Sequence, residues 1–132
     1  MKSLTLYPNW AHDVWTGEKQ IEYRSWKTNY RGPILICAGA KKMKGLISGH
    51  ALCVVKIKQI IKYPDGSYGW MLTPYESGES YHIEPFPVKG KVRFFETDDS
   101  LIKPVSWEND GEVNNKAKQT WYDQTIAPLI AK

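Results

Sequence analysis

Apolar and polar positions change rhythm several times along this chain, and each change predicts an element. Asn9 stands where a helix cap is wanted, since Trp10 and Val14, and Ala11 and Trp15, recur at i, i+4 through Thr16, with Gly17 as the stop. From Gln20 the rhythm becomes twofold. In an extended segment Glu22, Arg24 and Trp26 share one side while Ile21 and Tyr23 share the other. Arg31, Gly32 and Pro33 punctuate the chain, and ILICA then reads as a buried strand. KKMKGLISGH follows as a basic loop or short helical turn. In ALCVVKIKQII, Val55 and Ile57 alternate with Lys56 and Lys58, as in a strand with one face in water. The PDG at 64–66 is a turn ahead of the strand YGWML. Two prolines in IEPFPVKG forbid a central strand, and KVRFFE resumes alternation, with Val92 and Phe94 opposed to Arg93 and Phe95. Helical spacing returns at the end: Asp110 as cap, Val113, Ala117 and Trp121 four apart, and Pro128 as the stop.

Short strands between turns, with helices near both ends, place the chain in the α+β class as a small β barrel with flanking helices. The last helix is expected to pack on the barrel as a lid or brace. No repeat, low-complexity tract or linker divides the 132 residues, so one domain over 1–132 is expected. MKSLTLYPNW is too short and polar for a secretory leader, and no apolar run approaches the roughly 20 residues of a membrane span. The expectation is a cytoplasmic protein without membrane contact. Cys37 and Cys53 lie in apolar runs and read as reduced, buried thiols. His12, His50 and His82 are scattered, with no HxxxH or CxxC spacing, so neither a metal site nor any other cofactor is expected.

Charge sharpens the picture. The net charge is +4, yet residues 19–62 hold ten Lys or Arg against Glu22 alone, while the remainder holds eight basic and thirteen acidic residues. Folded onto one surface, that segment makes a basic face able to attract phosphates and release their counterions. Spread around a barrel, the same lysines are ordinary solvated charges.

The densest part is GEKQIEYRSWKTNYRG, residues 17–32, within a chain that is 13% aromatic. A carboxylate between Lys19 and Arg24 keeps its charge and becomes an anchored acceptor for the amino or imino edge of a base. Arg24 and Arg31 can contact phosphate or stack on a base plane. Trp26, Tyr68 and Trp70 offer ring faces on which an unstacked base rests, a contact worth about 1–3 kcal/mol per base. Lys89 and Lys91, flanking Gly90, extend such a basic groove. The same residues also fit a scaffold, in which Arg24 and Arg31 pair with Glu22 to close the barrel while Trp26 and Trp70 fill its core. A third reading is catalytic. Lys19, with Glu22 beside it, would be a general base that activates a 2′-hydroxyl for metal-independent RNA cleavage, or a nucleophile for amide hydrolysis, with Arg24 or Arg31 steadying the developing charge.

The chain resembles the ASCH family, a branch of the PUA-like superfamily. The resemblance rests on SL at 3 and 4, on GEKQIEYRSWKTNYRGPILI at 17–36, and on YGWML and IEPFPVKGKVRFF between 68 and 95. The family signature GxKxxExR falls on Gly17, Lys19, Glu22 and Arg24, and continues into Arg31 and Gly32. It covers about two-thirds of the chain and does not specifically reach residues beyond about 100. It implies a PUA-like barrel with a cleft where the signature side chains gather, and a partner that is RNA or a nucleotide-like ligand. Some members are associated with hydrolysis of RNA or of a modified nucleoside. The amidohydrolase branch has threonine three places after the lysine, where this chain has Glu22.

Overall fold

The apolar run beginning at Ala51 supplies the strand around which the molecule is built. In the computed structural model, which describes residues 1–132, this run lies in β4 (His50–Lys62). The other strands are β1 (Lys2–Leu6), β2 (Ile21–Arg24), β3 (Pro33–Ala38), β5 (Tyr68–Leu72), β6 (Tyr81–Pro87), β7 (Phe95–Glu96), β8 (Glu108–Asn109) and β9 (Glu112–Val113). Helix α1 (Pro8–Thr16) follows β1, and α2 (Asn115–Trp121) follows β9. Seven strands form one sheet in the order β2-β5-β4-β3-β1-β7, with β6 joined to β4, while β8 and β9 pair apart from it.

Two irregularities bend β4. Register shifts between Ala51 and Cys53, and between Ile57 and Gln59, let its first half pair with β3 and β6 and its second half with β5. The sheet therefore curls into a half-barrel. It is mixed, because β1 runs parallel to β3 and the crossover between them contains α1. Leu4, Leu6, Ile34, Ile36, Ile57 and Trp70 pack against Ala11 and Val14 of α1 on one face. Leu35, Cys37, Ala51, Val54 and Ile83 form a smaller cluster on the other. ILICA is buried on both sides for that reason, each aliphatic side chain contributing about 1.5–3 kcal/mol. The result is a curled α+β half-barrel with two helices, as a PUA-like fold requires. Both cysteines are free and buried, and burial pushes each thiol up to about 12, which disfavours the thiolate.

Several expected boundaries move. Helix α1 begins at Pro8, not after Asn9: proline at the first turn lacks an N–H that would need a partner, and Tyr7 precedes it without a side-chain cap. Gly17 closes the helix at φ 88°. Of KVRFFE only Phe95–Glu96 pairs, because Arg93 at φ 60° breaks the alternation. Pro85 and Pro87 do lie in a strand, but β6 pairs fully only with β4. Its other edge makes an isolated bridge from Ile83 to Pro104.

The C-terminal third is also organised differently. Asp110 does not cap a helix. With Gly111 it forms the two-residue turn between β8 and β9, at φ 51° and 85°, the conformation that Asp-Gly favours in hairpins. Asn114 caps α2 instead, its Oδ1 accepting from Ala117 N at 3.1 Å. A Cβ at Gly111 would run into the carbonyl of Glu76, whereas one at Gly66 (φ 89°) would meet open space. Gly111→Ala should therefore cost about 1–3 kcal/mol in urea unfolding, and Gly66→Ala less, since it carries only the conformational strain.

A polar clasp holds this third to the barrel. His82 Nε2 donates to the Trp15 carbonyl at 2.7 Å and Nδ1 faces Glu108 Oε2 at 2.9 Å, while the His82 backbone N–H donates to Glu108 Oε1 at 2.7 Å. Tyr75 stacks on the imidazole at 3.9 Å. Nearby, Trp121 Nε1 donates to both carboxylate oxygens of Glu84, at 2.6 and 2.8 Å. The C-terminal helical segment is a brace.

Candidate functional site

Strand alternation brings Glu22 and Arg24 of the signature to one side of β2, with Lys19 just ahead of the strand. Opposite them on β5 stand Trp70, across from Glu22, and Tyr68, across from Arg24. Glu22 is 2% exposed. Its Oε1 accepts from Lys19 Nζ at 3.3 Å, and its Oε2 is buried without a partner. The same ammonium sits 4.8 Å from the centre of the Trp10 ring. Arg24 Nη2 donates to the Thr5 carbonyl at 3.3 Å, and its Nε is buried without a partner. Burial draws the Arg24 guanidinium below its ordinary value and the charge of Glu22 partly offsets this. Arginine remains a cation under such conditions.

Arg24 borders a cavity of about 300 Å³ whose wall also includes Thr5, Tyr7, Trp10, Lys41, Lys91 and Arg93, and no acid. A shallower hollow of about 680 Å³ shares Thr5, Gly39, Ala40, Lys91 and Val92 with it and adds Lys89. The two make one groove, lined by the end of β1, the start of the loop after β3, and the loop between β6 and β7. Gly90 makes the narrow approach possible: a Cβ there would collide with the Thr5 hydroxyl and lie 2.7 Å from its methyl group. Arg93 holds a left-handed backbone conformation and places its guanidinium 4.9 Å from the Trp26 ring centre. At the rim, Tyr7 and Trp10 are 60% and 45% exposed and meet edge to face at 5.8 Å.

The remaining predicted residues divide between core, groove and a second face. Trp70 is fully buried and offers no ring face to a ligand, correcting that expectation. Trp26 stands edge-on to it at 4.8 Å, Phe94 lies 5.6 Å away, and its Nε1 donates to the Trp26 carbonyl at 3.3 Å. Trp26 and Tyr68 are half-buried and pack on the same core. Lys89 is exposed on the outer hollow. Arg31 does not reach Glu22. Its Nη1 donates to the carbonyls of Thr28 (2.7 Å) and Tyr30 (3.0 Å), and the residue borders a separate cavity of about 380 Å³ with Lys56 and Lys58. The basic segment thus feeds two surfaces. The ion partner of Glu22 is Lys19, not Arg24.

Thr5, Tyr7, Trp10 and Arg93 were not foreseen. Trp10 served in the sequence only as a helical partner of Val14 at i+4, and it lies at the solvent edge of α1. Gly39 and Gly90, each next to a wall position, were the available signal of a close approach between segments.

The ASCH domain model matches residues 4–119. Among solved structures, the crystal structure of ASCH from Zymomonas mobilis is similar at 12% identity with a TM-score of 0.57, covering 80% of this chain and 97% of that one. A tyrosine-to-phenylalanine variant of the Zymomonas mobilis protein is similar at 12% identity and TM-score 0.53, covering 77% and 98%. At that identity the likeness speaks to fold. Comparison with curated proteins gives no match. No helix is long and apolar enough to cross a membrane. With the family's model matching most of its length, and with Glu22 and Arg24 of its signature on β2 of a curled half-barrel, the chain belongs to the ASCH domain family.

Proposed function

We propose that this ASCH domain binds single-stranded RNA, or a nucleotide within it, in the groove centred on Arg24. One observation carries the reading: Arg24, Lys41, Lys91 and Arg93 line a cavity with no carboxylate among them, while Tyr7 and Trp10 stand open at its rim. Cations without internal counterparts attract phosphate, and exposed rings accept a base plane without regard to its identity. Glu22 holds Lys19 against Trp10 but is sealed from solvent and lines no part of the groove, so it positions its neighbour and does not act as the base acceptor expected from the sequence. Lys19 is taken up by that carboxylate and the Trp10 ring and lies outside the lining of the Arg24 cavity, which favours binding over a ribonuclease or amide hydrolase working through Lys19.

The test is a salt series with a fluorescently labelled single-stranded oligoribonucleotide. Between 50 and 200 mM salt, four phosphate contacts give a log–log slope of about −2.8, and Lys41→Gln with Lys91→Gln makes it shallower by about 1.4. Absence of binding by the intact protein at the low end overturns the proposal.

A further inference from the structure

We infer that the cavity of about 300 Å³ takes a phosphomonoester, the terminal phosphate of an RNA strand or of a free nucleotide, and not an internal phosphodiester. The inference rests on reading the groove as a nucleotide site and adds which phosphate it selects.

The reason is charge density. Two arginines and two lysines border this small hollow with no acid to separate them. An internal phosphodiester brings a single negative charge and leaves the cations largely uncompensated. A phosphomonoester is close to a dianion above pH of about 6 and presents three acceptor oxygens. The donors suit it. Arg24 and Thr5 both border the hollow, and the Arg24 guanidinium is held in place through Nη2 by the Thr5 carbonyl. Arg93 is held over Trp26 by a backbone conformation that non-glycine residues seldom adopt, so its charge is positioned before any ligand arrives. Gly90 brings the Lys91 loop against Thr5, so the inner end of the groove, at about 300 Å³, is smaller than the outer hollow of about 680 Å³ and suits a compact terminal group.

The experiment compares one oligoribonucleotide sequence carrying a 5′-phosphate, a 3′-phosphate or hydroxyls at both ends, with unlabelled uridine monophosphate as a competitor. The expected result is about tenfold tighter binding of one phosphorylated form over the hydroxyl form. In Lys91→Gln/Arg93→Gln, shown to be folded by its melting curve, that ratio falls to about one. Competition by the mononucleotide identifies free nucleotides as a further source. Binding of the mononucleotide alone, with no oligonucleotide bound, retains the phosphomonoester and sinks the RNA reading. Equal affinity for all three oligonucleotides overturns the inference and leaves RNA binding standing. If nothing binds, both fall.

Discussion

Replacing Arg24 with alanine lowers affinity for a single-stranded oligoribonucleotide by about 10- to 100-fold while leaving the melting temperature nearly unchanged. The binding loss follows from the geometry. Arg24 borders the groove with a guanidinium that no carboxylate of the protein pairs, and a charge-assisted hydrogen bond is worth about 1.5–3 kcal/mol. The fold is spared because the side chain's one internal bond goes to the Thr5 carbonyl at the cavity wall, where water can take its place. Lysine at this position keeps the charge but loses the fork, so Arg24→Lys recovers part of the affinity. Lys27→Ala, on an exposed residue just beyond β2, should stay within about twofold of the parent. If Arg24→Ala binds as tightly as the parent in fluorescence anisotropy, the groove is not the site. If it instead unfolds, the arginine belongs to the scaffold.

The second large effect concerns stability. Glu108→Ala removes both carboxylate oxygens at once and leaves the His82 Nδ1 and backbone N–H each without its own partner inside a nearly sealed pocket, with only the Nε2 bond to the Trp15 carbonyl remaining. Breaking a buried pair of this kind costs about 3–5 kcal/mol. For a chain of 132 residues, that lowers the melting temperature by roughly 10–20 °C. Glu108→Gln, which retains one acceptor, should fall between. Oligonucleotide affinity measured well below the transition should not change, because the clasp shares no residue with the groove. A melting temperature within about 2 °C of the parent would show that His82 and Glu108 do not couple in the way described.

Much of the architecture was legible because periodicity follows burial. ILICA and ALCVV are apolar at consecutive positions since both faces of β3 and the first half of β4 are covered, and the GxKxxExR spacing places Glu22 and Arg24 on the same side of a strand. What escaped were features set by contacts distant in sequence. Trp70 alternates like a residue facing a cleft, but Trp26 and Phe94 arrive from elsewhere to cover it. Arg31 has the charge to join Glu22, yet the loop between β2 and β3 turns it towards Lys56 and Lys58. Arg93 fits the alternation of KVRFFE until its backbone angle breaks it, and the same angle sets its side chain over Trp26. Asp110 illustrates a local ambiguity: aspartate suits a helix cap and a hairpin turn alike, and the glycine after it decides for the turn.

The clasp around His82 also bears on how the molecule is made. Its imidazole joins Trp15, 67 positions earlier, to Glu108, 26 positions later, so no nascent fragment ending before residue 108 can assemble it. Residues so far apart meet only after a large entropy of chain closure has been overcome, which slows the final step. Until translation passes that point, Trp15 and Trp107 lack their native enclosure around His82, and apolar surface left open in this way favours association between unfinished chains.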